Sequence, residues 1–316
     1  MLNAVPTAAM KILVTGGAGF IGSHLVDALI DAGHEVAVID DLSTGSQANL
    51  NPQAEFHRID ITDYDATRAV FARVKPDVVC HLAAQTSVRL SMSDPIRDAT
   101  VNILGSINVL RACVEHESAR IVFASTCAVY AGAKYLPMDE GHPVLPESAY
   151  GASKHAVEGY IRMFAHANGL KYKILRYGNV FGPRQNPEGE AGVISIFTRQ
   201  FVEGIQPTIF GDGSKTRDYV YVADIVRGNV LAIGEVGDNE IYNLAGGTEI
   251  TDLQVFEAVR KAICSEVEPR YAPVRPGEVE RSSLDYARAK ANLGWSPEVS
   301  LEDGIREVVA HYRETH

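Results

Sequence analysis

Short, almost wholly apolar runs alternate along the chain with longer segments in which apolar residues return every three or four positions. KILVT (11–15), EVAVID (35–40), AEFHRID (54–60), PDVVCHLAA (76–84), ARIVFAST (119–126) and KYKILRY (171–177) have the length and β-branched content of buried strands. FIGSHLVDALIDAG (20–33), DYDATRAVFARV (63–74), PIRDATVNILGSINVLRACVEHE (95–117) and a segment starting near Ser148 carry the helical period, the first stopping at Gly33. Such alternation predicts parallel βαβ units, hence an α/β fold with a doubly wound parallel sheet and helices on both faces. After residue 180 the rhythm changes. Glycine and proline become denser, as in VFGPRQNPEGEAG and IFGDGSKTRD, and the helical segments are interrupted. The expected division is an extension over 1–9 ahead of Met10, a nucleotide-binding unit over 10–180, and a smaller substrate-binding lobe over 181–316 with some returns to the sheet.

Composition narrows the function classes. The 316 residues are 46% hydrophobic and 22% charged, with 29 basic against 40 acidic side chains and a net charge of −11. With no lysine- or arginine-rich run, neither nucleic acid nor an anionic membrane is an expected partner. An anionic ligand must be met by a few local arginines or by helix N-termini. Cys80, Cys113, Cys127 and Cys264 are far apart without a CxxC, and the histidines lack ligand spacing, so reduced thiols and no metal site are expected. The first ten residues do not read as a signal peptide, and no run reaches the ~18 apolar residues of a membrane span, so a cytoplasmic protein is expected.

The sequence TGGAGFIG (15–22) sets Gly16, Gly19 and Gly22 between the first strand and first helix. A turn without Cβ atoms lets backbone approach a pyrophosphate, and a helix N-terminus offers unpaired N–H groups; a turn needing glycines only for packing is the plain alternative. At the end of the second strand, the Asp40 carboxylate can accept from both ribose hydroxyls and repels a 2′-phosphate, which favours NAD over NADP. Asp60, ending the third strand, is in reach of an adenine amino group.

AYGASK (149–154) puts Tyr150 four residues before Lys154, one turn away on the same helix face. The pair is either an ordinary surface contact or a phenol, with an ordinary pKa of about 10, made acidic by a neighbouring cation. Four-residue spacing alone does not choose between them.

Taken with HLAAQ (81–85), DDLSTG (40–45), STCAVY (125–130), RYGNVFGPRQ (176–185), RDYVYVADI (217–225) and RPGEVERSSLDYARAKANLGW (275–295), these motifs resemble, in order and over nearly the whole chain from residue 10, the extended short-chain dehydrogenase/reductases. Within them the chain is most similar to the UDP-glucose 4-epimerases. The resemblance implies a Rossmann-type sheet with NAD along Gly16, Gly19, Phe20, Ile21 and Gly22, the loop Leu42, Ser43, Thr44 and Gly45, and Asp60 with Ile61. Leu82, Ala83, Ala84, Gln85, Asn102, Ser125 and Tyr177 complete that site, with Lys154 on the nicotinamide ribose and Ser125 orienting the nicotinamide end. It implies Tyr150 as base, made acidic by Lys154 and the nicotinamide ring, and Thr126 as its hydroxyl partner at the sugar O4. Arg217 and Arg275 become the diphosphate arginines, Asn179 a phosphate contact, and Glu278 a neighbour of the ribose. Val193, Thr208, Ile209 and Phe210 line the uridine, and Ser87, Tyr219 and Ser282 belong to the substrate site.

Related 4,6-dehydratases carry Asp-Glu directly after the Ser-Thr pair, and the UDP-glucuronate decarboxylases carry a glutamate at the second of those positions. Cys127 and Ala128 stand there in this chain. The implied reaction is therefore 4-epimerisation of a UDP-hexose through a transient 4-keto sugar, with NAD retained. A small residue at 282 leaves room for an N-acetyl group, extending the expected substrates from UDP-glucose and UDP-galactose to UDP-GlcNAc and UDP-GalNAc. Epimerisation of UDP-glucuronate or another nucleotide sugar is the alternative, with a non-catalytic NAD sensor behind it. By the same resemblance the chain is a homodimer joined by a four-helix bundle. VYAG replaces the usual VYG, moving the glycine to 132, and Asp41 stands where asparagine is commoner. His81 reads equally as a nicotinamide neighbour and as a buried, satisfied histidine.

Overall fold

The computed structural model describes residues 8–130, 132–187, 192–274 and 279–315. Its first half winds β1 (Lys11–Thr15), α1 (Phe20–Asp31), β2 (Glu35–Asp40), β3 (Glu55–Arg58), α2 (Tyr64–Val74) and β4 (Val78–His81). Then come α3 (Val88–Ser93), α4 (Pro95–Ala99), a π-helical turn (Thr100–Gly105), α5 (Ser106–Glu115), β5 (Arg120–Thr126), α6 (Ala149–Asn168) and β6 (Lys171–Tyr177). The remainder comprises β7 (Asn179–Phe181), α7 (Val193–Val202), β8 (Thr208–Phe210), β9 (Thr216–Arg217), β10 (Tyr219–Tyr221), α8 (Val222–Ala232) and β11 (Glu240–Leu244). It closes with β12 (Ile250–Thr251), α9 (Asp252–Ile263), β13 (Arg270–Ala272), α10 (Ala287–Leu293) and α11 (Leu301–Thr315).

Seven parallel strands make the central sheet, in the order β3–β2–β1–β4–β5–β6–β11. Strand alternation feeds two separate cores. Ile12 and Val14 join Leu25, Leu29, Ile225 and Trp295 beneath α1, α8 and α10, whereas Leu13 joins Phe71, Leu110, Phe123 and Ile161 beneath α2, α5 and α6. A third apolar cluster, with Phe197, Phe201, Phe256, Val259 and Val309, is built by α7, α9 and α11 away from the sheet.

The late strand β11 completes the sheet beside β6. Just before it, Asp238 accepts from Arg120 Nε at 2.7 Å and from the fully buried Lys173 Nζ at 2.8 Å, and that ammonium also donates to the Ala232 and Gly234 carbonyls.

Two elements depart from the sequence pattern. The helical run expected over 95–117 is broken by the π turn, which packs Gly105 on Ile61 so closely that a Cβ would lie 2.7 Å from that side chain. The fourth strand ends at His81 rather than 84, because Leu82 and Ala83 turn their N–H groups to Thr15 and Gln85 turns its own to Asn102.

Candidate active site

Helix α1 starts at Gly19 with no side-chain cap, whereas α2, α6 and α9 are capped by Asp63, Ser148 and Thr251. The turn before it leaves no room for side chains. Gly16 has φ +75°, and a Cβ there would lie 2.7 Å from Ala83 N; one at Gly22 would lie 2.0 Å from Gly16 O. Asp40 reaches this turn from β2: its carboxylate accepts from Ala18 N at 2.9 Å and Leu42 N at 2.8 Å. Burial raises its pKa, partly offset by those two bonds. Each carboxylate oxygen keeps a further lone pair. The loop after it folds back, with Ser46 N and Asn49 Nδ2 on Ala18 O. Bare turn, uncapped helix start and strand-end carboxylate together fit a dinucleotide with an unphosphorylated ribose.

At the end of β4, His81 is fully buried between Thr15 Oγ1 (2.7 Å to Nδ1) and Ser106 Oγ (2.8 Å to Nε2). Burial, helped by the nearby Lys154 ammonium, holds its pKa down to about 3. It is a neutral, satisfied crosslink between β1, β4 and α5. Gln85 and Asn102 are also internally bonded: Asn102 Nδ2 donates to Gln85 O, Asp98 Oδ1 and Ser153 Oγ, while Gln85 Nε2 donates to Asp98 Oδ1. These bonds shape the loop 82–87. Ser87 caps α3.

Helix α6 brings together the groups that the sequence singles out for catalysis. A Cβ on Gly151 would lie 2.3 Å from Ala128 O, so the first turn of α6 rests directly on the chain leaving β5. That contact sets Tyr150 against Thr126, whose hydroxyl lowers the phenol's pKa; burial is the larger effect and pushes it above its ordinary value. Tyr150 N donates to Ser91 Oγ at 3.0 Å. Lys154, one turn on, is buried with Nζ 2.8 Å from Ala124 O and 4.8 Å from the centre of the Phe123 ring. Its pKa falls to about 8 through burial, against the opposing charges of Asp98 and Glu158. Acidification of the phenol by Lys154 is thus not achieved by the protein groups alone, which hold Tyr150 protonated.

One turn further, Glu158 is fully buried and takes Ser125 Oγ at 2.7 Å and Arg176 at 2.9 and 2.6 Å. Ser125 therefore points beneath α6. Tyr177, the register partner of Thr126, gives its hydroxyl to Asn229 at 2.9 Å. Sequence reasoning passed over Glu158 and Asp98, although Glu158 continues the four-residue spacing of Tyr150 and Lys154.

Beyond β6, β7 pairs with β10, setting Asn179 beside Tyr219, and Cys127 Sγ approaches Asn179 Oδ1 at 4.0 Å. The Cys127 thiol is pushed up to about 11, first by burial and then by the Asp218 charge, with Arg217 opposing. Arg217 Nη1 donates to Thr216 O at 2.8 Å and Val279 O at 2.6 Å. Val193 opens α7, and Thr208–Phe210 forms β8 against β13. Ser282 is buried. Arg275 and Glu278 lie outside the described residues. Phe20 and Ile21 open α1; Ile61, Leu82, Ala83 and Ala84 follow β3 and β4, while Leu42 to Gly45, with Leu42 at φ 61°, follow β2. Asp60 Oδ1 accepts from Thr62 N at 2.8 Å.

Residues 12–245 match the model of the NAD dependent epimerase/dehydratase family. A putative UDP-glucose 4-epimerase of Methanocaldococcus jannaschii is 46% identical over 94% of this chain and 97% of its own length. The crystal structure of a Thermotoga maritima UDP-glucose 4-epimerase with UDP-glucose superposes with a TM-score of 0.95 at 46% identity, over 97% of this chain and 99% of that one. A UDP-N-acetylglucosamine 4-epimerase from Methanobrevibacter ruminantium, in complex with UDP-N-acetylmuramic acid, gives 0.93 at 35% identity, over 98% and 99%.

Proposed function

The chain belongs to the NAD-dependent epimerase/dehydratase family, and we propose that it interconverts the C4 epimers of a UDP-hexose. The observation that carries this reading is the Tyr150–Thr126 pair at the end of β5, followed by Cys127 and Ala128 in place of the carboxylates an elimination or decarboxylation needs.

Tyr150 removes the proton from the sugar 4-hydroxyl and later returns one, and Thr126 relays it between phenol and O4. Lys154, fixed on Ala124 O, holds positive charge one turn from the phenol and is placed for the nicotinamide ribose. NAD held by the glycine turn, Asp40 and Lys154 would supply a reversible hydride acceptor for C4 without net oxidation, and its positive charge would supply the acidity that burial denies Tyr150. With the nucleotide anchored, a 4-keto sugar that turns over in the pocket would take the hydride back at C4 on its opposite face and a proton at O4 from Tyr150. Arg217, Arg275 and Asn179 serve as diphosphate contacts and Val193 with Thr208–Phe210 as the uridine wall. The small side chain of Ser282 admits an N-acetyl group, which widens the substrates to UDP-GlcNAc and UDP-GalNAc.

The same reading makes the chain a homodimer. Met92 (61% exposed), Ile96 (79%) and Leu104 (55%) leave an apolar face on α3, α4 and the π turn, and α6, which packs against all three, leaves Met163 exposed. A second copy would cover this face as a four-helix bundle. Among the described residues no helix is long and apolar enough to cross a membrane, and the four cysteines are free thiols, as in a reducing cytoplasm.

Purified protein incubated with UDP-galactose or UDP-GlcNAc, without added cofactor, is expected to yield the C4 epimer. Tyr150→Phe should retain NAD and lose turnover by roughly 10²–10⁴-fold. Full activity of Tyr150→Phe, or failure of the unmodified chain on both sugars with NAD supplied, would refute the assignment.

A further inference from the structure

Between Arg217 and Tyr219 stands a carboxylate that the reaction does not use. Asp218 is only 1% exposed, and among the described residues no cation pairs with it. Its charge is met by backbone N–H groups from two separate parts of the chain. Oδ1 accepts from Gly246 N at 2.6 Å and Gly247 N at 3.2 Å; Oδ2 accepts from Gly247 N at 3.1 Å and Leu284 N at 2.9 Å. Its backbone carbonyl accepts from Asn179 N at 2.7 Å. A buried carboxylate without a cation is expensive, and only a full set of donors offsets its desolvation.

Leu284 ends a strap, residues 279–284, that crosses the substrate side and contains Ser282. The other ties of the strap lead to the same place. Glu280 O accepts from Thr216 N at 3.0 Å, Val279 O takes Arg217 Nη1, and Ser283 O accepts from Met138 N at 2.8 Å. From outside, the exposed Arg281 forks onto Glu249, which also accepts from Thr216 Oγ1 at 2.6 Å. The strap is therefore tied to β9 and to the residue that follows it, and Asp218 is its buried pin. A shift of the strap moves Ser282 and Arg217 together.

We propose that Asp218 is a positioning residue for the nucleotide sugar: by pinning Leu284 and the 246–247 turn it fixes the strap, and through it aims Arg217 at the diphosphate and Ser282 at the sugar. This rests on the reading of the pocket as a UDP-sugar site. The groups so aimed hold the ligand alike before and during reaction, whereas Tyr150, Thr126 and Lys154 stand on α6 and β5 without a direct bond to the strap. Loss of the pin weakens uniform binding, which appears in KM rather than kcat. Asparagine keeps the size of Asp218 but turns an NH₂ group toward N–H donors.

The test uses the full chain with Asp218→Asn and Asp218→Ala. It measures UDP affinity by calorimetry, KM and kcat for UDP-galactose, and bound NAD after denaturation. Expected are a rise of about tenfold or more in KM and in the UDP Kd, kcat within about threefold, and undiminished NAD. UDP Kd and KM within twofold of the unmodified chain would overturn the proposal, as would a fall in kcat matching the rise in KM. Should both variants fail to fold, Arg281→Ala loosens the strap from its exposed side; a smaller rise in KM at constant kcat supports the pin-and-strap unit, and an unchanged KM overturns it. An unmodified chain that binds UDP without epimerising it would refute the reaction, and the UDP affinities of the variants would still decide the role of Asp218.

Discussion

The glycine turn and the strap hold their halves of the site by opposite means. At the turn, position is set by exclusion: backbone from β1, α1 and the loop after β4 meets where no Cβ fits, and Asp40 only ties the turn to the next loop. At the strap, position is set by attraction, through side chains far apart in sequence that converge on one segment. Exclusion is local and brittle. Attraction is shared among several bonds and yields by degrees.

The harshest test of the contrast is one methyl group. Gly22→Ala would put an atom 2.0 Å from Gly16 O, and we expect a loss of about 3 kcal/mol or more, a melting temperature lower by roughly 6 °C or more, and loss of bound NAD. Normal melting and NAD content in that variant would break the comparison.

Acid should sharpen it, because the two halves titrate with opposite signs. The folded pKa of His81, about 3, lies below its unfolded value, so the unfolded chain takes the proton first and stability is lost as pH falls below about 6.5. Asp218 is raised, mainly by burial, to about 7. Its charged form is the penalised one, so that penalty is relieved as pH falls below 7. Relative to the unmodified chain, His81→Asn should compare better at pH 5 than at pH 7, by about 2 kcal/mol. Asp218→Asn should compare worse at pH 5 than at pH 7. Denaturant melts at the two pH values decide it, and parallel shifts for both variants would remove the distinction.

The smallest effect belongs to the outer clasp. Arg281→Ala removes an exposed ion pair, and a stability change below about 1 kcal/mol is expected in the same melts. A change as large as that of Gly22→Ala would make the strap as brittle as the turn.

What could be read beforehand follows the same line. The glycine turn, Asp40 and the one-turn spacing of Tyr150 and Lys154 are short-range patterns, and the order of strands and helices announces the doubly wound sheet. Strand alternation also bears on Ser125 and Thr126: successive residues face opposite ways, and Ser125 goes to Glu158 beneath α6. The π turn was hidden because TVNILG has an ordinary helical pattern; it ends where Gly105 packs on Ile61, a contact distant in sequence. Asp218 was hidden for the same reason. Its donors are residues 246, 247 and 284, and no local pattern reports a carboxylate that waits for N–H groups tens of residues away.

The seventh strand also has a bearing on how the protein is made. A nascent chain that has emerged only as far as residue 180 carries six of the seven strands, but β6 is then a bare sheet margin open to pairing with another chain. Lys173 at that stage has neither Asp238 nor the carbonyls of residues 232 and 234, and an ammonium that is buried in the finished sheet stays hydrated at its rim. Closure waits for some sixty further residues, about half of them spent on α7, α8 and the short strands between β6 and β11, so the sheet is completed only after those elements have left the ribosome.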